Sequence, residues 1–154
     1  MMTENNENTN NESDTLEDFI QNRQKEWTSI VTDLNKKLSK LAGVNELMYT
    51  LYTERQKAVE YYYTLLNKIS KLSQGYKIQY AQKYNAYKVS SNIRYNSDAA
   101  INAQIMSDLS DSVYTIELMN NFSKFMQETI KTIDNIIYAI QNRIKIEELI
   151  QGYK

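Results

Sequence analysis

The sequence lacks several residue types on which common protein chemistry depends. It contains no cysteine, no histidine and no proline, and only three of its 154 residues are glycine. Without cysteine there are no disulfides and no thiolate metal sites, and without histidine the commonest general base and metal ligand are missing. Sheet proteins of this length need many turns, which use glycine and proline. The composition therefore favours long helices with few connections.

No pattern of residues indicates catalysis. The glycines Gly43, Gly75 and Gly152 are isolated, which excludes a glycine-rich phosphate loop. Acid pairs such as Glu147 and Glu148 stand among basic and polar residues, where carboxylates usually face solvent. We therefore expect a protein that is not an enzyme, with no catalytic residue, no metal site and no cofactor.

The sequence contains neither a membrane span nor a signal peptide by the usual criteria. No run of about eighteen apolar residues is present. Residues 1–11 are polar and acidic, which is the opposite of a secretory signal. These features predict a cytoplasmic protein that does not interact with membranes.

Apolar residues recur every three or four positions along most of the chain, which is typical of amphipathic helices. We expect an all-α fold, an elongated helical bundle or coiled-coil hairpin with a long C-terminal helix. An acidic, asparagine-rich tail, predicted to be disordered, precedes a single helical domain over residues 14–154. Gly43 is expected to end the first helix, and Asn45 is expected to cap the second. The predicted helices cover about 14–42, 45–73, 76–90, 98–109 and 112–151.

The last predicted helix has the most regular apolar spacing. Its three-and-four period, kept over several heptads, predicts a seam with another helix. A second apolar edge runs through Leu118, Phe125, Ile136, Ile146 and Ile150, which implies two neighbours and favours a homo-oligomer. The predicted oligomerisation residues are Met119, Phe122, Met126, Ile133, Ile137, Ile140 and Ile144.

The near-neutral net charge of −1 hides two segments of opposite charge. Residues 1–20 contain six acids and no base, whereas residues 61–97 contain six bases, no acid and eight tyrosines. Basic side chains attract phosphates and aromatic rings stack on unpaired bases, so the second segment favours single-stranded nucleic acid. The predicted phosphate contacts are Lys68, Lys71, Lys77, Lys83, Lys88 and Arg94. The predicted stacking residues are Tyr76, Tyr80, Tyr84, Tyr87 and Tyr95, with Tyr84 and Tyr87 preferred.

Four segments follow one another in the order found in a known family. They are EWTSIVTDLNKKLSKL, QGYKIQYAQKYNAYKVSSNIRYNSD, INAQIMSDLSD and FMQETIKTIDNIIYAIQNRIKIEELIQGYK. In this order, and in a last helix with Arg143, Ile144, Lys145 and a late Gly152, residues 23–154 resemble the UvsY-like recombination mediators of tailed phages. The resemblance implies a ring-like homo-oligomer that binds single-stranded DNA. It also implies displacement of single-stranded-DNA-binding protein and loading of a RecA-like recombinase, for recombination and repair in the cytoplasm of an infected bacterial host.

A second interpretation of the tyrosines stays open. Tyrosines at helical spacing are more often a packing face than a stacking platform. In that case the chain is a phage structural or assembly protein, a helical homo-oligomeric scaffold without DNA binding. The two interpretations differ in whether the tyrosine rings are available to bases.

Overall fold

Helices account for nearly all of the chain that the structure describes. The computed structural model describes residues 7–38, 43–89 and 97–152, with side chains from residue 15 onward. Over these residues it has four helices and no strand, which confirms the all-α prediction and the long C-terminal helix. The helices are α1 (Glu7–Leu38), α2 (Val44–Val89), α3 (Asp98–Asp108) and α4 (Ser110–Gly152). None of the described helices has the length and apolar character that crossing a membrane requires.

The main departure from the predicted helices is α2, which runs unbroken for 46 residues. The sequence predicts two helices that meet at Gly75, but Gly75 lies inside α2. A glycine in a helix costs only about 1 kcal/mol relative to alanine. The apolar period continues on both sides of Gly75, so the remaining helical contacts outweigh that cost.

Helix starts also differ from those predicted. α1 begins at Glu7, so it includes residues 7–13 of the predicted tail, and residues 1–6 lie outside the described residues. The carbonyl of Gly43 accepts the amide N–H of Leu47 at 2.9 Å, which places Gly43 at the start of α2. The predicted cap, Asn45, lies instead within the helix. α3 and α4 begin and end within two residues of their predicted bounds.

Contacts within the chain form two compact units, where the sequence predicts one helical domain. The second unit comprises residues 19–64 and 122–154, and it draws its core from α1, α2 and α4. Beside this core, the Arg55 guanidinium donates to both carboxylate oxygens of Asp134, at 2.5 and 3.3 Å. The buried apolar side chains are Ile20, Trp27, Leu34, Leu47, Leu51, Ala58, Phe122, Met126, Ile133, Ile136, Ile137 and Ile140.

The first unit comprises residues 1–18 and 65–121, and it contains all of α3. Among the described residues its buried side chains are few, and three of the five come from α3 and its C-cap. The Tyr114 hydroxyl on α4 donates to the Glu17 carboxylate on α1. The buried side chains are Leu65, Ile101, Ile105, Leu109 and Met119.

The apolar stripe of α4 packs within a single chain. Met119 is buried in the first unit, while Phe122, Met126, Ile133, Ile137 and Ile140 are buried in the second, and Ile144 is half-buried. Side chains that are already buried have little area left to remove from water against another subunit. The stripe therefore forms the core of one chain. Homo-oligomerisation stays a prediction, and it would have to use other side chains.

Candidate nucleic-acid interface

Four of the predicted stacking tyrosines lie on one face of α2 in the first unit. Tyr76, Tyr80, Tyr84 and Tyr87 are spaced by four, four and three residues, which keeps them on one side of a helix. Their rings pack against three buried side chains of α3 and its C-cap. Those side chains are Ile101, Ile105 and Leu109. We call the four tyrosines the tyrosine stripe; in this structure it is a half-buried packing face.

The hydroxyl groups of the stripe are bonded to α3 as well. Tyr80 donates to Asn102 Oδ1 at 2.7 Å and Tyr84 donates to Asp98 Oδ1 at 3.1 Å. Tyr87 donates to Asp108 Oδ2. The acceptors stand near the start, in the middle and at the end of α3, so polar contacts follow the whole length of this short helix.

Asp108, the last residue of α3, accepts hydrogen bonds from side chains of both α2 and α3. Its carboxylate accepts from Tyr87, from Lys83 Nζ at 2.9 Å and from the Gln104 amide at 2.8 Å. These bonds, the one from Tyr87 foremost, stabilise the ionised carboxylate and lower the pKa of Asp108 from 3.8 to about 2. The bond to Asp108 also raises the pKa of Lys83. Lys83 is therefore charged, but its ammonium group is engaged by Asp108.

The other four predicted lysines of α2 are exposed. They are Lys68, Lys71, Lys77 and Lys88. The helical period places Lys77 and Lys88 along one edge of the tyrosine stripe and Lys68 towards the other edge, with Lys71 on the far side. The Lys88 ammonium also lies 5.3 Å from the centre of the Tyr84 ring. Within the described residues, no acid follows Glu60 on α2.

Two of the predicted binding residues, Arg94 and Tyr95, lie outside the described residues. The candidate interface consists, for this reason, of the tyrosine stripe and the five lysines of α2.

Among the described residues, the tyrosines most open to solvent were not the predicted ones. Tyr49, Tyr52, Tyr63 and Tyr138 are 49–76% exposed and belong to the second unit. The predicted stacking residues all lie in the acid-free segment of residues 61–97, so Tyr49, Tyr52 and Tyr138 were not predicted as exposed aromatic residues. A usable signal was present, because Tyr49 and Tyr52 fall outside the Leu47, Leu51 and Ala58 stripe.

Neither a metal cluster nor a known relative adds to this description. The described side chains include no group of three or more metal-binding residues. No known protein family, no curated protein and no solved structure matches the chain. The resemblance to UvsY-like mediators therefore stays a prediction.

Proposed function

We propose that this chain is a single-stranded-DNA-binding protein that holds phosphates through the lysines of α2. One observation carries the proposal. From Tyr61 to its end at Val89, α2 has five lysines and no acid, and four of those lysines are exposed. A row of ammonium groups with no neighbouring carboxylate on its own helix attracts a polyanion, because few intrahelical pairs compete for it.

The placement of the lysines supports a single strand as the ligand. Lys77 and Lys88 follow one edge of the tyrosine stripe, and Lys68 lies towards the other. A strand lying along α2 would meet phosphate contacts beside aromatic rings, which is the combination that binds single strands without sequence preference.

The biological part of the proposal rests on the resemblance described above. We propose a recombination mediator that displaces single-stranded-DNA-binding protein and assists loading of a RecA-like recombinase. A homo-oligomer would repeat the lysine row, so that many weak contacts add to a useful avidity.

A salt series with labelled oligothymidylate tests the DNA-binding proposal. Each phosphate contact with a single strand contributes about −0.7 to the slope of log affinity against log salt, so the three exposed lysines at the edges of the stripe predict a slope of about −2. Fluorescence anisotropy at increasing salt measures this slope. The absence of binding at low salt would overturn the proposal.

A matched pair of triple variants locates the surface. Replacing Lys68, Lys77 and Lys88 with alanine should weaken binding and bring the slope closer to zero by about 2. The control replaces Lys25, Lys124 and Lys131, which are exposed lysines of α1 and α4, and changes the net charge equally. Equal losses in the two variants would mean that net charge, and not this surface, governs binding.

A second candidate function is supported by a different observation. The tyrosine stripe packs inside the first unit, and the end of α4 exposes Ile146, Leu149 and Ile150, each at 56–63%. A helical assembly protein without DNA binding would have these features, because it needs apolar surface for other subunits and no free aromatic platform. This candidate predicts that oligothymidylate does not bind at any salt concentration.

A further inference from the structure

α3 offers the tyrosine stripe the same kinds of contact that a nucleic-acid strand would. Its Asp108 carboxylate accepts from Tyr87, as a phosphate oxygen would. Asp108 also neutralises Lys83, which would otherwise bind a phosphate. Ile105 is fully buried in the cluster that the stripe packs against, so this cluster occupies part of the ring surface.

The polar contacts of α3 are of a kind that can be exchanged. The helix has only 11 residues, and isolated helices of that length are marginal in water. Its ion pair with Lys83 and its bonds to Tyr84 and Tyr87 lie at the solvent edge. Hydrogen bonds at such positions stabilise little in net terms, because water or another anion replaces the lost partner.

We propose that α3 is a displaceable cover that occupies the tyrosine stripe and Lys83 until single-stranded DNA takes its place. This inference rests on the proposed DNA binding and adds its regulation. Displacement would free Lys83 and four aromatic rings together, so the bound strand would gain one phosphate contact and a stacking surface. The apparent affinity would equal the intrinsic affinity multiplied by the fraction of molecules in which the cover is open.

A charge-neutral variant loosens the cover without changing the binding surface. Ser97 caps α3 by accepting the N–H of Ala100 at 3.2 Å. Replacing an N-cap serine with alanine destabilises a helix by about 1 kcal/mol, so Ser97→Ala should tighten oligothymidylate binding about fivefold. The matched control is Ser70→Ala, an exposed serine within α2. An affinity of Ser97→Ala equal to that of the control would overturn the cover.

A pair of changes at Tyr84 separates opening of the cover from loss of stacking. Tyr84→Phe removes the hydroxyl that bonds Asp98 and keeps the ring, so it should bind oligothymidylate more tightly. Tyr84→Leu removes both and should bind more weakly than Tyr84→Phe, because stacking on an aromatic ring is lost. If the phenylalanine and leucine variants bind equally, the Tyr84 ring does not contact bases. The proposal that α3 covers a stacking surface would then be wrong.

Hydrogen exchange of the wild-type chain gives an independent readout. Added oligothymidylate should reduce protection of the α3 amides over residues 101–109, because the displaced helix loses its packing. Unchanged or greater protection would overturn the inference while leaving DNA binding intact. If wild-type and Ser97→Ala both fail to bind at low salt, the proposed function itself fails and the cover fails with it.

Discussion

Phe122 illustrates how a single position in a periodic pattern becomes a core residue. It belongs to the regular stripe of α4, its side chain is fully buried, and it meets the Tyr61 ring edge-on at 5.8 Å and the Phe125 ring at 6.2 Å. The sequence placed it on the apolar stripe of the last helix and predicted it as an oligomerisation residue. Its neighbours come from the same chain, which the period alone does not specify.

Truncation of Phe122 should therefore destabilise the protein strongly. Phe122→Ala leaves a cavity in the second unit and should lower the free energy of unfolding by about 3–5 kcal/mol. Tyr138→Ala, at a side chain that is 66% exposed, should change it by less than about 0.5 kcal/mol. Urea denaturation followed by circular dichroism measures both. A small loss for Phe122→Ala would show that this core is not packed as described.

Asp108 predicts a specific dependence on pH. Its pKa falls from 3.8 to about 2 on folding, so the folded state holds this proton less tightly than the unfolded state does. The stabilisation is complete above the unfolded value and is lost as the pH falls through the folded value. Between pH 3.8 and about 2, the free energy of unfolding of the wild-type protein should fall as Asp108 becomes protonated. It should fall less for Asp108→Asn, which has no carboxylate at this position.

The difference between wild type and variant isolates this carboxylate from the other acids. Denaturation midpoints measured at several acidic pH values should converge for wild type and Asp108→Asn as the pH approaches about 2. Asp111→Asn, an exposed acid at the start of α4, serves as the control. A constant gap between wild type and Asp108→Asn across this range would contradict the assigned hydrogen bonds.

At the scale of elements, α2 shows that a glycine need not end a helix. Gly75 lies inside α2 with open space around the position of an added Cβ, so its only effect is on the backbone. Gly43 differs, because its φ of +90° lies in the left-handed region that favours glycine. The two glycines look alike in the sequence and have opposite structural roles.

Alanine substitutions should separate these roles. Gly75→Ala should raise the free energy of unfolding by about 0.5–1 kcal/mol, since alanine loses less backbone entropy in a helix. Gly43→Ala should lower it by about 1 kcal/mol or more, because alanine is strained at positive φ. Thermal and urea denaturation measure both changes. Destabilisation by Gly75→Ala would contradict an unbroken α2.

The two apolar edges of α4 indicated two neighbours, which the sequence assigned to other subunits. In the structure, α1 and α2 also contribute side chains to the core of the second unit. Their apolar stripes include Trp27, Leu34 and Leu51. The sequence shows these stripes but does not show which helix each of them packs against. Pairing between amphipathic helices depends on geometry that periodicity does not encode.

At the scale of the whole molecule, self-association would need apolar side chains that a single chain leaves exposed. The buried stripe of α4 leaves Ile146, Leu149 and Ile150 as the exposed apolar side chains at its end. Should the predicted homo-oligomer form through this end, replacing all three with serine should lower the mass measured by sedimentation. Tyr138→Ser is the control on the same helix. A wild-type chain that stays monomeric at all concentrations would contradict the oligomer.

Composition and periodicity by themselves determined that this protein is helical. The absence of proline, the scarcity of glycine and the three-and-four spacing leave few alternatives, because each is a local property of the backbone. The charge pattern likewise identified the acid-free, lysine-rich part of α2.

Only the tertiary structure decided what the tyrosine stripe contacts. Tyr80, Tyr84 and Tyr87 bond to α3 side chains that lie 14 to 22 residues away in sequence. Half-buried rings and stacking platforms have the same helical spacing, so the sequence could not distinguish them. The physical reason is that burial depends on which element packs across a face, and that is set by the whole chain.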